Sequence, residues 1–308
     1  MNKFLKCLSD PYYGCSKVLH RIAPYIKDDE LYVKMDYFFA FHKKLDLKNP
    51  KTFNEKLQWL KLHDRNPEYT KMVDKYAVKE YISGLIGENY VIPTIDVWDS
   101  FDEIDFSRLP NQFVMKCTHD SGGLVICKDK SNLDLKKIEK KISNCLKRDY
   151  YMGTREFPYK SVKPRIIAEK YMRDASHDSL NDYKVMCFNG KVKLIEVHIG
   201  RYTKNHTQDF YDVNWKKTSI SQGGYGSTSV NVLPKPVNFD KMIDFSELIT
   251  AEMAHCRIDW YEINGELYFG EITFYDGSGL EPFDKFEDDE LLGSWIDLKR
   301  AYCYSYCF

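Results

Sequence analysis

The sequence predicts an α+β protein that is built on antiparallel sheets. Before residue 90, apolar residues recur at spacings of three and four, which is typical of amphipathic helices. Beyond that point, short runs of β-branched and aromatic residues alternate with single helices. Two Asn-Gly pairs, at 189–190 and 264–265, divide such runs into hairpins. Because hairpin strands pair antiparallel, this mixed order predicts an α+β chain with antiparallel sheets.

The N-terminal 92 residues are predicted to be helical. Leu57 and Leu60 lie on one face of a predicted helix, and Thr52 followed by Glu55 forms a capping-box pattern at its start. Two Asn-Pro dipeptides separate successive helices. The strands predicted after this region are 113–118, 123–128, 165–172, 182–188, 192–199, 257–263 and 267–274, with helices at 133–147 and 239–254.

The composition argues against several classes of protein. Lys and Arg number 45 and Asp and Glu 46, so no overall basic charge indicates a nucleic-acid partner. No run of about 18 apolar residues predicts a transmembrane helix, and the N-terminus lacks the apolar core of a signal peptide. The nine cysteines are scattered without a CxxC pair, which favours reduced thiols over a zinc ribbon or a disulfide framework. We therefore expect a cytoplasmic protein.

Polar residues alternate along the second predicted hairpin. Arg257 and Asp259 stand on its first strand, and Glu271 and Thr273 stand on its second. A three-residue loop that ends in a left-handed glycine would place all four on one face, whereas a two-residue loop would separate Asp259 from Glu271. The apolar residues between them favour the three-residue loop, which collects them on the opposite face.

Asp259 and Glu271 would then form a carboxylate pair that requires a cation between the two groups. Mg²⁺ suits this arrangement, since it typically takes one or two carboxylates and completes its octahedron with phosphate oxygens. Arg257 beside the pair would neutralise charge on a transferring phosphoryl group. An exposed strand face with ordinary salt bridges explains the same pattern equally well.

A lysine and a loop of small residues form a second candidate site. Lys116 lies in an otherwise apolar strand, where an ammonium group requires an anion. The following loop contains Ser121 and Gly122, whose backbone N–H groups are suited to phosphate oxygens. The loop is not a P-loop, because no Gly-Lys-Ser or Gly-Lys-Thr follows. The alternative is an ordinary hairpin whose lysine extends to solvent.

The segment RIIAEKYM, residues 165–172, is a third candidate site. Its backbone, at Glu169 and Lys170, offers alternating donors and acceptors to the edge of an adenine, and Met172 is suited to packing on the base. Asp182 is placed to accept a hydrogen bond from a ribose hydroxyl. Each of these residues is also explained as an ordinary strand residue.

Two further features carry less weight. The run QGGYG at 222–226 contains part of a dinucleotide-binding pattern, but no clear strand precedes it and no helix follows, so we predict a surface loop. The aromatic C-terminal segment 302–308 is predicted to pack on the body of the protein. No HExxH zinc motif or GxSxG nucleophile motif is present in the sequence.

In their order, these segments resemble the ATP-grasp superfamily, and more closely its TupA-like branch, which is named for teichuronopeptide synthesis and found in surface-polysaccharide gene sets. The resemblance is carried by NPKTFNEKLQWLK, DKYAVKEY, FVMKCTHDSGG, RIIAEKYM, DYKVMCFNGK and RIDWYEINGELYFGEITFYDGSG. It implies an ATP-grasp fold, in which two lobes with antiparallel sheets clamp ATP. The lobes would span 93–172 and 173–308, preceded by the helical region 1–92.

The resemblance also implies roles for individual residues. Lys75 and Lys116 would bind phosphate, under a loop that includes Ser121 and Gly122. Thr273 occupies the position where the family usually has the asparagine of the metal site. The other implied contacts are Glu169, Lys170 and Met172 with adenine, Asp182 with ribose, and Asp259 and Glu271 with Mg²⁺, beside Arg257.

The activity that the resemblance implies is an ATP-dependent carboxylate–amine ligation through an acyl phosphate, with Lys116 and Arg257 as the catalytic residues. The expected substrates are an amino acid or amine and a uronic acid of a capsule or O-antigen precursor. Lys184 and Arg201 are candidates for binding the acidic substrate. Peripheral association with polysaccharide-assembly machinery is also expected. The sequence identifies no base that deprotonates the amine.

Two alternatives keep the ATP site. A sugar kinase would transfer the phosphoryl group to a hydroxyl and leave phosphate on the sugar. A nucleotide-binding scaffold of polysaccharide assembly would bind ATP without turnover, which agrees with Thr273 if the metal ligands are incomplete.

Overall fold

A computed structural model of the chain describes residues 10–175, 180–201, 203–228 and 232–302. The aromatic segment at the C-terminus lies almost wholly outside the described residues. The helices are α1 (Pro11–Ile22), α2 (Asp29–Phe41), α3 (Phe53–His63), α4 (Tyr69–Val73), α5 (Ala77–Ile86), α6 (Leu135–Leu146), α7 (Tyr150–Thr154), α8 (Phe239–Ile249), α9 (Phe286–Ser294) and α10 (Lys299–Tyr302). The strands are β1 (Thr94–Trp98), β2 (Phe113–Cys117), β3 (Val125–Cys127), β4 (Ile166–Lys170), β5 (Asp182–Phe188), β6 (Lys191–Ile199), β7 (Thr207–Tyr211), β8 (His255–Ile263) and β9 (Glu266–Thr273).

The predicted α+β class with antiparallel sheets is confirmed. Each of the seven predicted strands is present, within two residues of its predicted ends. The sequence analysis missed β1 and β7, which are edge strands of the two sheets and are only five residues long. None of the described helices is both long and apolar enough to cross a membrane.

The N-terminal helices form as predicted, and α3, α4 and α5 pack against the second sheet. The capping box at the start of α3 is present: Thr52 Oγ1 accepts a hydrogen bond from the Glu55 amide at 3.2 Å, and Glu55 Oε2 accepts one from the Thr52 amide at 3.1 Å. Phe53 and Leu57 of this helix are fully buried in a core shared with the five-stranded sheet. The helical region is therefore joined to the rest of the protein by a common core.

The first sheet has four strands in the order β1-β4-β2-β3, and all its pairings are antiparallel. Ile138 and Ile142 of α6 pack on one face of this sheet, against Phe113 and Met115. Because successive side chains of a strand point to opposite faces, Lys116 points away from α6. This alternation places Lys116 on the face that is turned to the second sheet.

The second sheet has five antiparallel strands in the order β7-β6-β5-β8-β9. Its first hairpin turns at Asn189 and Gly190, both with positive φ, as the Asn-Gly signal predicts. In the central strand β5, Lys184 lies opposite Glu196 on one side and opposite Asp259 on the other. Residues that lie opposite one another share a face of the sheet, so these three side chains form part of one polar row.

The second hairpin corrects one prediction. Its loop has two residues, not three: Ile263 pairs with Glu266 across Asn264 and Gly265, which have φ values of 53° and 81°. Asp259 nevertheless lies opposite Glu271, because an irregularity in β9 beside Gly270 shifts the register by one residue.

The space at this bulge favours glycine at position 270. A Cβ atom at position 270 would lie 3.0 Å from the carbonyl oxygen of Asp259. Arg257 and Thr273 are paired in the same register as Asp259 and Glu271. The predicted shared face is therefore present, and the bulge at Gly270 produces it.

His255 lies in the core between two aromatic rings. Its ring centroid is 5.0 Å from that of Phe53 and 4.8 Å from that of Phe188. Burial lowers the pKa of His255 from 6.5 to about 3, so the imidazole is neutral in the folded protein at neutral pH. The unfolded chain takes up a proton below pH 6.5, whereas the folded chain does not.

This difference predicts a pH-dependent contribution to stability. The free energy of unfolding should lose about 1.4 kcal/mol per pH unit through His255 as the pH falls below 6.5, and the loss should end near pH 3. His255→Phe should remove that part of the slope, measured by urea unfolding between pH 7 and pH 5. His42→Asn, which changes an exposed histidine, is the control and should keep the wild-type slope. An unchanged slope in His255→Phe would contradict the assignment.

Candidate active site

The candidate active site is a cleft between the two sheets. Two adjoining cavities occupy it, of about 340 and 360 Å³, each within the size range of small-molecule sites. Lys116, Glu169, Arg201 and Tyr261 line both cavities, which therefore form one continuous cleft. Ten of the predicted site residues line this cleft: Lys75, Lys116, Ser121, Gly122, Glu169, Lys170, Met172, Asp182, Arg201 and Glu271. The other four line neither cavity: Lys184, Arg257, Asp259 and Thr273.

One end of the cleft is largely apolar. The apolar residues that line it include Val114, Ile126 and Met172. Asp182 also lines this end, and its Oδ2 accepts a hydrogen bond from Arg201 Nη1 at 2.7 Å. The structure thus brings Met172 and Asp182 to one cavity, together with Lys170. Their assignment to adenine and ribose stays a prediction.

Three lysines approach the middle of the cleft. The buried carboxylate of Glu169 lies between two of them, 2.6 Å from Lys79 Nζ and 2.7 Å from Lys116 Nζ. Burial alone would raise the pKa of Glu169, but the charges of Lys116 and Lys79 outweigh it and lower the pKa. The side chain of Glu169 is therefore a counterion for the lysines.

Lys79 was missed by the sequence analysis. It stands in the first turn of α5, four residues after Lys75, and a second lysine so close to the predicted phosphate lysine is the signal that would have identified it. The Nζ atom of Lys75 donates to the carbonyl oxygen of Asp120 at 2.8 Å, and burial lowers the pKa of Lys75. Both lysines line the cavity at the polar end of the cleft.

The predicted phosphate loop closes the polar end. Ser121 and Gly122 line this cavity. The preceding residue, Asp120, is buried and 3.0 Å from Arg148 Nη1, while its carbonyl oxygen accepts from Lys75. These contacts anchor the start of the loop beside the lysines.

The Asp259 carboxylate is engaged by two cations. Its Oδ2 accepts a hydrogen bond from Lys184 Nζ at 2.7 Å, and its Oδ1 accepts one from Arg257 Nε at 2.7 Å. Arg257 also donates to Thr273 Oγ1 at 3.2 Å and pairs with Asp276. Burial would raise the pKa of Asp259, but Arg257 and Lys184 outweigh it and lower the pKa.

Glu271 differs from Asp259 in its surroundings. Its side chain is 42% exposed and lines the polar cavity, and its Oε1 is 3.9 Å from Arg257 Nη2. Glu271 is therefore accessible to a ligand in the cleft. Lys184, by contrast, is buried in its pair with Asp259, and Arg201 is tied to Asp182 at the apolar end.

A family model described as TupA-like ATPgrasp matches residues 55–297, about four fifths of the chain. The chain belongs to this family. The two antiparallel sheets, the cleft between them and the preceding helices are its ATP-grasp fold, as the resemblance implied. A search of curated proteins finds no match.

Several solved structures are similar to this TupA-like ATP-grasp chain. D-alanine–D-alanine ligase from Bacillus anthracis, complexed with ATP, is 14% identical with a TM-score of 0.38, over 66% of this chain and 54% of that one. The Helicobacter pylori ligase is 16% identical with a TM-score of 0.37, over 73% and 61%. D-cycloserine synthetase DcsG is 12% identical with a TM-score of 0.39, over 75% and 67%. The chain thus spans a little over half the length of the D-alanine–D-alanine ligases that it matches.

The residues of this ATP-grasp cleft fit a Mg²⁺ ion held mainly by one protein carboxylate. Among the residues that the structure describes, no three His, Cys, Asp or Glu side chains are grouped closely enough to hold a metal. Glu271 supplies an accessible carboxylate, and phosphate oxygens and water are the other ligands that Mg²⁺ prefers. Asp259 would have to exchange one of its cationic partners to join such a site. The metal roles of Asp259, Glu271 and Thr273 stay predictions.

Proposed function

We propose that this protein is an ATP-dependent ligase that joins a carboxylate to an amine. The observation that carries the proposal is the order of groups along one cleft. An apolar cavity at Met172 is followed by Lys79 and Lys116, and then by the exposed carboxylate of Glu271. This order matches the base, the phosphates and the metal end of a nucleotide.

The lysines would bind the phosphates of ATP, with Lys75, Lys79 and Lys116 as the residues involved. Glu271 would hold Mg²⁺, which would neutralise charge on the phosphates. The loop containing Ser121 and Gly122 covers the same end of the cleft and would limit access of water to it.

The proposed reaction has two steps. An oxygen of the substrate carboxylate attacks the γ-phosphorus of ATP, the bond to ADP breaks, and an acyl phosphate forms. Lys116 and Arg257 would counter the negative charge that accumulates in this step. The amine then attacks the acyl carbon, the carbon–oxygen bond to phosphate breaks, and an amide and phosphate are released.

For the substrates, we propose an amino acid or amine and a uronic acid of a surface polysaccharide precursor, on the strength of the family. We further propose a cytoplasmic location. Reduced thiols support it, since the described cysteines 15, 117, 127, 145, 187 and 256 are all free.

A matrix of amino acids and simple amines against uronic acids, with ATP and Mg²⁺, tests the ligase. ADP release and product mass are measured together, and hydroxylamine replaces the amine in a parallel series to trap the acyl phosphate as a hydroxamate. An amide with released phosphate supports ligation. A phosphorylated sugar would instead establish a kinase, and nucleotide binding without ADP release in any pair would favour a scaffold.

A further inference from the structure

A polar row crosses the second sheet on the face that carries the candidate metal site. The paired positions in β9, β8, β5 and β6 are Glu271, Asp259, Lys184 and Glu196. Neighbouring strands are about 4.8 Å apart, so each residue of this row is one strand further from the polar cavity than the last. Glu196 therefore stands at the far end of the row, beyond the Asp259–Lys184 pair.

Glu196 has one satisfied and one unsatisfied oxygen. Its Oε1 is 2.5 Å from His198 Nε2 and accepts a hydrogen bond from Gln208 Nε2 at 2.6 Å. Its Oε2 has no hydrogen-bond partner among the described residues. This oxygen is buried, and the side chain as a whole is only 5% exposed. A buried carboxylate oxygen without a donor is costly, so a donor from outside this part of the chain would be stabilised here.

Glu281 supplies a second carboxylate beside the loop 222–226, whose Tyr225 packs on the His198 that is hydrogen-bonded to Glu196. Its oxygens lie against two glycines: a Cβ at Gly223 would come within 2.5 Å of Oε1, and one at Gly277 within 2.8 Å of Oε2. Within the described chain, no residue donates a hydrogen bond to this carboxylate or forms an ion pair with it. Burial and then the charge of Glu196 raise the pKa of Glu281, while Arg257 acts in the opposite direction.

The run 222–226, which the sequence analysis assigned to a surface loop, closes this region. Tyr225 packs edge-on against His198, with ring centroids 5.9 Å apart. Gln222 Nε2 donates to the backbone carbonyl oxygen of Glu281 at 3.1 Å. The loop is thus fixed to both sides of the region between Glu196 and Glu281.

We propose that Glu196 and Glu281 form the subsite for the ammonium group of the amine substrate. The proposal rests on the ligase function proposed above. An ammonium group carries three donors, so it can serve the unpaired oxygen of Glu196 and the carboxylate of Glu281 together. A metal ion suits the pair less well, because both ring nitrogens of His198 are already engaged, by Glu196 and by His206.

The position of the subsite agrees with the reaction. Arg257 Nη2 lies 3.9 Å from Glu271 Oε1. Arg257 also pairs with Asp276, and the next residue, Gly277, lies against Glu281 Oε2. An amine held at Glu281 is therefore next to the residues that would surround the acyl phosphate. In the second step, the ammonium group gives one proton to Glu281, and its nitrogen attacks the acyl carbon. The carbon–oxygen bond to phosphate breaks, and the second proton leaves with the phosphate.

The test compares two nucleophiles in one enzyme. Glu281→Gln and Glu196→Gln are assayed with the best amine from the matrix and with hydroxylamine, which is uncharged at neutral pH and needs no carboxylate partner. We expect kcat/KM for the amine to fall roughly 10- to 100-fold, mainly through KM in Glu196→Gln, while hydroxamate formation stays near the wild-type rate. Glu252→Gln, which changes an exposed carboxylate, should alter neither.

A second measurement follows the amine alone. Titration of the same amine into the protein without ATP, by calorimetry, should show binding to the wild type and to Glu252→Gln and weaker binding to Glu196→Gln. Unchanged amine kinetics in both variants, or an equal loss of amide and hydroxamate, would overturn the subsite and leave the ligase standing. Absence of hydroxamate from the wild type with every acid would overturn the ligase, and the subsite with it.

Discussion

Glu271→Gln is expected to reduce the rate of ATP-dependent turnover by roughly 10²- to 10³-fold while leaving the fold intact. The other two carboxylates of the polar cavity are already paired, Asp120 with Arg148 and Glu169 with two lysines. Glu271 is thus the described carboxylate of that cavity that remains open to a metal ion. Glutamine keeps its size but is neutral, so the effect should fall on ADP release under saturating substrates.

Stability separates a catalytic effect from a structural one. The ion pair of Glu271 with Arg257 is long and half exposed, so its loss should change the free energy of unfolding by less than about 1 kcal/mol. Glu266→Gln, at the exposed tip of the same hairpin, is the matched control and should keep full activity. Wild-type rates in Glu271→Gln would refute the metal assignment.

Asp259→Asn is expected to lower the free energy of unfolding by about 3 kcal/mol or more. The substitution removes the ion-pair partner of the buried Lys184 and leaves Arg257 with Asp276 as its remaining close carboxylate. Buried cations without a counterion are among the most destabilising changes in proteins, whereas the amide of asparagine replaces only part of the hydrogen bonding. Urea unfolding at neutral pH measures the effect.

Two further variants sharpen this prediction. Adding Lys184→Met to Asp259→Asn removes the buried cation that has lost its ion-pair partner and should recover part of the lost stability. Asp240→Asn breaks an exposed ion pair with Lys235 and should cost less than about 1 kcal/mol. If Asp259→Asn were no less stable than Asp240→Asn, the pairing of Asp259 with Lys184 and Arg257 would not hold in solution.

The strands and the shared polar face were predictable from the sequence because both depend on local periodicity. Asp259 and Glu271 were placed together because the apolar residues around them must be buried. The predicted length of the hairpin loop was wrong because two arrangements place Asp259 opposite Glu271: a three-residue loop, or a two-residue loop with a bulge in the strand. Gly270, a glycine in the middle of a strand, is the local signal of the bulge.

The ion pairs within the cleft were not predictable in the same way. Lys79 and Glu169 are 90 positions apart in the chain. Val78 and Ile82 of α5 are buried in the core of the second sheet, whereas Glu169 lies on a strand of the first, so only the tertiary fold brings the pair together. Lys184 illustrates the same limit. The alternation of side chains along β5 predicts the face on which Lys184 lies, but its partner Asp259 is determined by the order of the strands in the sheet. The sequence predicts which residue types are available, and the tertiary fold determines which charges neutralise one another.

The position of Glu169 has a consequence for the affinity of the cleft for anions. Its single negative charge separates two ammonium groups that would otherwise repel each other across an open groove. The cations are thereby fixed in advance, and an arriving polyanion need not spend its binding energy on ordering flexible side chains. The carboxylate of Glu169 thus takes the place of a bound anion, and its charge keeps the groove preorganised for an anionic ligand.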